Sequence, residues 1–132
     1  MKLHRATCTA IAVMAATPLG AVGLGPLEQK GVIDGPREGF TLTLFNPYQE
    51  ATAFRMYAIG PDGDEAPQNR VTILPAQTIL GAQQARSLLI IANDLQPGET
   101  YNFRLCAERA QPPAGALIHA RVCSKLSARR IG

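Results

Sequence analysis

Two runs near the C-terminus, Tyr101-Asn-Phe-Arg-Leu-Cys106-Ala107 and Leu117-Ile-His-Ala-Arg-Val-Cys123, indicate the fold. Apolar and polar side chains alternate along both runs, as in β-strands with one buried face. The turn-forming sequence Pro113-Ala114-Gly115 between them predicts an antiparallel hairpin in which Cys106 lies opposite Cys123. We expect these cysteines to form a disulfide, worth about 3 kcal/mol in the chain-entropy model if the compartment is oxidising.

The first residues of the chain predict export. Met1-Lys-Leu-His-Arg5 is basic, and residues 6–24 carry no charge. This composition predicts a signal peptide over residues 1–23 and a domain over residues 24–132. Pro18 and several glycines argue against a stable membrane span, so we expect no stable membrane insertion after signal removal. An uncleaved anchor is the alternative. Cys8 would leave with the signal, and the domain would keep two cysteines.

The charge of the chain is uneven. Lys2 and Arg5 supply two of the three formal net positive charges, so the exported domain is nearly neutral, and we expect no nucleic-acid partner. From Tyr101 onward, six basic residues accompany a single acidic one, Glu108, which the hairpin register places opposite Arg121. The last strand therefore forms a basic edge that favours an acidic or carboxylate-bearing partner.

Short alternating segments also recur along the rest of the chain, separated by turn signals. They cover residues 31–33, 40–45, 53–59, 71–74 and 87–92 in addition to the hairpin. About seven strands in one domain of this length favour an all-β, immunoglobulin-like sandwich. Tyr101 at the start of the sixth strand is typical of that fold, because its hydroxyl can bond back to the preceding corner.

Few residues could support catalysis. His119 is the only histidine after the signal, no serine lies in a nucleophile elbow, and pairing of the cysteines would leave no thiol. The segment Asp62-Gly-Asp-Glu65 lacks the later ligands of a calcium loop, and we interpret it as a polar hairpin turn. We expect a binding protein and not an enzyme, without a metal or other cofactor.

The last strand has the pattern of a binding edge. Ile118, Ala120 and Val122 alternate along it, and an exposed strand of this kind can extend a partner's sheet by β-augmentation. The alternative interpretation is that the same residues line the domain's own core.

Several motifs, in order along the chain, resemble the N-terminal domain of the PapD-like periplasmic pilus-assembly chaperones. They are Lys30-Gly-Val-Ile-Asp-Gly35, Thr41-Leu-Thr-Leu-Phe-Asn46, Ile73-Leu-Pro75 followed by Leu80-Gly81, Tyr101-Asn-Phe-Arg-Leu105, and Ile118 to Leu126. The resemblance implies that the seventh strand lends Ile118, Ala120 and Val122 to a pilus subunit whose own sandwich lacks a strand. Ala120 is small and would fill its pocket poorly.

The resemblance also implies two cations that bind the subunit's terminal carboxylate. Lys30 lies where the first-strand arginine is expected, and it keeps the charge without the bidentate fork. An ungapped match places Ser127 at the second cation, so we expect Lys125 to serve instead, with Arg129 one strand repeat away on its other side. The alternative is that each lysine is a solvated strand charge.

The sequence thus predicts a secreted, periplasmic, chaperone-like component of pilus or surface-fibre assembly. Its expected partner is a fibre subunit, and an outer-membrane usher is a second candidate. A stand-alone module resembling fibronectin type III and a fibre subunit are the alternatives; the lack of tryptophan argues against the former. The related chaperones have two domains, with the carboxylate site between them, whereas this sequence ends at Gly132. We therefore expect that site to be open to water or completed by another chain.

Overall fold

The chain folds as a two-layer β-sandwich in a computed structural model that describes residues 22–111 and 120–132. Nine strands lie in these ranges: β1 Gly23–Gly25, β2 Glu28–Ile33, β3 Glu38–Phe45, β4 Thr52–Ile59, β5 Val71–Leu74, β6 Gln77–Leu80, β7 Ala85–Ala92, β8 Thr100–Arg109 and β9 Arg121–Arg130. The expected all-β, immunoglobulin-like architecture is confirmed. Within the same ranges, no helix is long and apolar enough to cross a membrane.

The strands form a four-stranded sheet, in the order β1-β3-β7-β5, and a five-stranded sheet, in the order β2-β9-β8-β4-β6. Neighbouring strands are antiparallel except β2, which runs parallel to β9. Alternating apolar side chains from the two inner faces meet between the sheets and exclude water. The largest fully buried apolar side chains are those of Phe40, Leu42, Leu44, Phe54, Leu88, Ile90, Leu95, Phe103, Leu105 and Leu126.

The hairpin register follows the prediction. Cys106 of β8 lies opposite Cys123 of β9, and Glu108 lies opposite Arg121. The two cysteines form the expected disulfide, with an S–S distance of 2.05 Å. The turn predicted at residues 113–115 lies outside the described residues.

The structure contains two short strands that hydropathy did not reveal. In β6, Thr78 is buried and Ile79 is 74% exposed, so the usual relation between burial and polarity is reversed. Thr78 accepts a hydrogen bond from Arg86, and β6 is an edge strand, which allows this reversal. In β1, Leu24 and the preceding Val22 are buried in the core. The predicted boundary at residue 23 therefore falls within β1.

The prediction that the Tyr101 hydroxyl bonds to the corner before β8 was wrong. The hydroxyl donates a hydrogen bond of 2.6 Å to Oε1 of Gln68, in the segment before β5. The guanidinium of Arg70 lies 4.3 Å from the centre of the Tyr101 ring. Tyr101 thus connects the five-stranded sheet to the segment that enters the other sheet.

Candidate functional site

The outer face of the five-stranded sheet is basic. Most inward residues of β8 and β9 are apolar or small, and the alternate positions lie on the outer face of the sheet, where Cys106 and Glu108 are nonetheless buried. Six basic side chains stand at outward positions of β4, β8, β9 and β2, and we call them the basic face: Arg55, Arg104, Arg121, Lys125, Arg129 and Lys30. Cations on such a face attract carboxylates, from the same chain or from a partner.

A cleft of about 430 Å³ lies on this face and contains both predicted carboxylate-binding lysines. Lys30 is exposed on β2, directly beside Ser127 of β9 in the parallel register. Lys125, one strand repeat away, lies opposite Arg104 of β8. Asp62 forms another part of the cleft wall. The fold therefore brings Lys30 and Lys125 to one site, although they are far apart in sequence.

The two lysines differ in their contacts. Lys125 Nζ lies 3.1 Å from Oδ2 of Asp62, and the two side chains are 60% and 74% exposed. Lys30 makes no side-chain hydrogen bond or ion pair with any described residue. Arg129 is the other cation near the position that Ser127 occupies. It lies opposite Val32 and is not among the described residues that line the cleft. The cleft thus holds one paired and one open lysine.

The first part of β9 is a partly open edge. Residues 121–124 pair with β8, whereas the parallel pairing with β2 covers residues 125–130. Ser124 is buried and its hydroxyl donates a hydrogen bond of 2.7 Å to the Pro26 carbonyl, so the open part of the edge is residues 121–123. Ala120 is exposed just before this edge. Val122 is half-buried and packs against the core, so the domain itself uses part of that side chain. Ile118 and His119 lie outside the described residues.

Carboxylates that pair with the basic face come from the loop after β4, for which the sequence predicted only a polar turn. Glu65 forms a bidentate ion pair with Arg121, at 2.6 and 2.9 Å. The Arg121 guanidinium lowers the pKa of the Glu65 carboxyl below its usual value. Arg104 donates hydrogen bonds to the carbonyl oxygens of Gly60 and Asp64, at 2.9 and 3.1 Å. Two features of the sequence could have predicted these contacts: the acidic run Asp62-Gly-Asp-Glu65 and the basic last strand.

A third ion pair lies beside the disulfide. Glu108 is buried and pairs with Arg55 of the neighbouring strand β4. The Tyr57 hydroxyl lies 3.4 Å from Glu108 and 3.3 Å from Arg121, so it connects this pair to the Glu65 contact. Charge on this part of the sheet is therefore balanced internally.

The polar groups of the site show no metal-binding arrangement. Over residues 22–111 and 120–132, no group of three or more histidine, cysteine, aspartate or glutamate side chains could hold a metal ion. What the site presents is a backbone edge beside two lysines. These features can bind an extended chain and its terminal carboxylate.

No protein-family model and no curated protein matches the sequence. Solved structures do match. The E. coli chaperone DraB superposes with a TM-score of 0.66 at 20% identity, over 83% of this chain and 55% of DraB. The SafB chaperone of Salmonella enterica, solved with the SafA pilin, gives 0.67 at 23% identity, over 87% of this chain and 57% of SafB. This chain therefore spans little more than half the length of these chaperones.

A human domain also matches. PapD-like domain 7 of human CEP192 superposes with a TM-score of 0.62 at 15% identity, over 98% of both chains. Since all these identities are low, what the matches share with this chain is the arrangement of strands. The chain has the PapD-like immunoglobulin fold found in fimbrial chaperones.

Proposed function

We propose that this domain is a chaperone-like component of pilus or surface-fibre assembly and that it binds subunits by donating the edge of β9. The observation that carries the proposal is the partly open edge at residues 121–123, in a fold shared with chaperones such as SafB, which was solved with its pilin. An open edge offers unpaired backbone groups that a partner's sheet can complete.

In the proposed complex, alternate residues of the donated strand fill a groove in the subunit. Ile118 and Ala120 supply side chains ahead of β9, and Val122 supplies the exposed part of its own. Because Ala120 buries little apolar area, its contribution to affinity is small, about 1 kcal/mol less per missing methylene than a larger residue would give. Backbone pairing then carries much of the binding.

Lys30 and Lys125 are proposed to bind the terminal carboxylate of the subunit. Both line the cleft beside β9, so a strand added along this edge would deliver its end to them. Two ammonium groups attract a carboxylate as point charges, and in an open cleft this attraction is screened by salt. The contact thus sets the register of the added strand more than its affinity.

The proposed compartment is the periplasm. The basic and then uncharged N-terminal segment favours export, and the Cys106–Cys123 disulfide favours an oxidising compartment. A fibre subunit is the proposed partner, with an usher as a second candidate. The domain acts by binding and not by catalysis.

A stand-alone interaction module is the second candidate function. The likeness to PapD-like domain 7 of human CEP192 supports it, because the same arrangement of strands also occurs in a protein other than a fimbrial chaperone. A module of this kind would bind an already folded partner, whereas a strand-donating chaperone would keep an incomplete subunit soluble. The state of the partner before binding therefore separates the two functions.

To test the proposal, the tagged domain is exported together with a fibre subunit that is insoluble when produced alone. We expect the wild-type domain to co-purify with soluble subunit, and Ala120→Asp to reduce the recovered complex at least tenfold, because it places a charge in an apolar groove. Ala85→Asp is the matched control. It makes the same change at an exposed strand position of the other sheet and should leave recovery unchanged.

Unfolding curves accompany both variants. Since Ala120 and Ala85 are exposed, each variant should stay within about 0.5 kcal/mol of the wild type. Full recovery of the subunit with Ala120→Asp would contradict strand donation at β9. Recovery only of a subunit that is already soluble and folded alone would favour the interaction module.

A further inference from the structure

The segment Gly60–Pro67, which we call the acidic loop, lies against the basic face. Its Asp62 contacts Lys125, and its Glu65 contacts Arg121, with Arg104 3.7 Å from the same carboxylate. The loop follows β4, whereas Lys125 and Arg121 belong to β9, on the far side of β8. The loop therefore reaches across β8 to place carboxylates on cations of the last strand.

The acidic loop has its own internal hydrogen bonds. The Asp64 amide donates to the Pro61 carbonyl at 2.8 Å, and the Ala66 amide donates to Oδ1 of Asp64 at 2.9 Å. Gly63 has a φ of 83°, a conformation that favours glycine. A Cβ at Gly60 would collide with the Asp64 side chain. These constraints give the loop one shape, with Asp62 at the cleft.

The two ion pairs of the loop differ in strength. Glu65 and Arg121 are joined by two hydrogen bonds, and Arg121 is only 32% exposed. Asp62 and Lys125 share one contact, and both side chains are largely exposed. A single exposed ion pair contributes little and exchanges easily, whereas a bidentate pair is stronger. Glu65 therefore anchors the loop, and Asp62 is the exchangeable contact.

We propose that Asp62 is an internal competitor of the partner's carboxylate: it occupies Lys125 in the free domain and is displaced when a chain ending in a carboxylate binds between Lys30 and Lys125. This inference rests on the proposed function of the cleft. It makes the acidic loop a regulator of that site. A partner whose end carries no charge cannot make the exchange.

The charges around Lys125 are consistent with exchange. Glu28 lies opposite Lys125 in the parallel register, and Arg104 lies opposite it on β8. Lys30 lies farther along the same cleft, without a carboxylate partner among the described residues. An incoming carboxylate can therefore pair with Lys30 without displacing another group, whereas pairing with Lys125 requires that lysine to leave Asp62.

The first experiment detects the contact without a ligand. A carbodiimide, which joins an adjacent amine and carboxylate as an amide, should link Lys125 to Asp62 in the free domain, as read by peptide mass spectrometry. The link should be lost in Asp62→Asn. Absence of the link in the wild-type domain would overturn the proposal.

The second experiment measures competition by NMR titration. The probe is a decapeptide of alternating valine and serine, made with a free C-terminal carboxylate and as the C-terminal amide. Asp62→Asn should bind the free-carboxylate peptide about two- to fivefold more tightly than the wild type, the range expected for removal of one exposed ion pair. The amide should bind both proteins equally.

Two further variants make the result specific. Asp34→Asn removes one negative charge from an exposed loop residue that makes no ion pair with any described residue, and it should leave affinity unchanged. In a Lys125→Gln background, Asp62→Asn should have no effect. An equal gain in Asp34→Asn, or a gain that persists without Lys125, would overturn the internal competition. If the wild type and Asp62→Asn bind acid and amide equally, carboxylate recognition by the cleft is itself wrong.

Discussion

At the scale of the residue, Asn46 shows how one side chain fixes several loops. It is fully buried, and its Nδ2 group donates hydrogen bonds of 3.0 Å to the carbonyl oxygens of Glu50, Leu80 and Gly81. Its Oδ1 accepts a hydrogen bond from the Tyr48 amide. One amide thus connects the turn after β3 to the turn after β6.

Replacement of Asn46 should therefore be costly. We expect Asn46→Ala to lower the free energy of unfolding by about 2–4 kcal/mol, because it leaves buried carbonyl groups without donors. Urea denaturation provides the measurement. Asn69→Ala, at an exposed loop position, is the matched control and should change stability by less than about 0.5 kcal/mol. Similar losses in the two variants would contradict the assigned role.

At the scale of the element, the β8–β9 hairpin supports the proposed binding edge. The disulfide joins opposite residues of the two strands, separated by 17 positions in sequence. Its Cys123 lies within residues 121–123, where β9 has a strand neighbour only on the β8 side among the described residues. A covalent link at this point limits fraying of the edge that a partner would have to recognise.

Removal of the disulfide should weaken the whole domain. For Cys106→Ala combined with Cys123→Ala, we expect a loss of about 3 kcal/mol, because the unfolded chain regains the entropy of the open loop. Urea denaturation of oxidised wild type, reduced wild type and the double variant tests this expectation. The reduced wild type should resemble the variant. A loss below about 1 kcal/mol would show that the link contributes little to stability.

At the scale of the whole molecule, Arg70 and Glu99 hold the two sheets together at one end. Arg70 precedes β5 of the four-stranded sheet, and Glu99 precedes β8 of the five-stranded sheet. Two hydrogen bonds of 2.7 and 2.9 Å join them, and Arg70 also lies over the ring of Tyr101. Hydrogen bonds from Arg70 and from the Gln96 amide lower the pKa of Glu99 from 4.5 to about 2.

This shift predicts a pH dependence of folding. A carboxyl whose pKa is lower in the folded state stabilises the fold above its unfolded pKa of 4.5, and this contribution is lost as the pH falls towards 2. Glu99→Gln should cost about 1 kcal/mol at pH 7 and progressively less below pH 4.5. Denaturation from pH 7 to 2 tests this, with the exposed Glu50→Gln as control. A constant difference across this range would contradict the assignment.

Much of the fold was predictable because its signals are local. Alternation at residues 71–74 marked β5 with its observed bounds, and the cysteines and turn residues of the hairpin set its register. By contrast, β6 was missed because its threonine faces inward and its isoleucine faces solvent. The hydrogen bond from the Arg86 side chain of β7 and the edge position of β6 together allow that reversed burial.

The candidate site was predictable in part for a related reason. Composition indicated a basic last strand, and Lys30 and Lys125 do line one cleft. The contact of Lys125 with Asp62, across 63 sequence positions, was not predicted. The packing of Val122 against the core was not predictable either, since alternation alone does not tell whether an apolar face meets the domain's own core or a partner.

By itself, the sequence determined the sandwich, the hairpin register and the basic character of β9, because alternation, turn chemistry and charge content depend on near neighbours in the chain. Only the tertiary structure decided that Tyr101 bonds to Gln68, that Asn46 donates to three carbonyl groups and that Asp62 of the acidic loop contacts Lys125. These contacts join distant segments, and their partners are selected by how the two sheets pack and where the loops between strands lie.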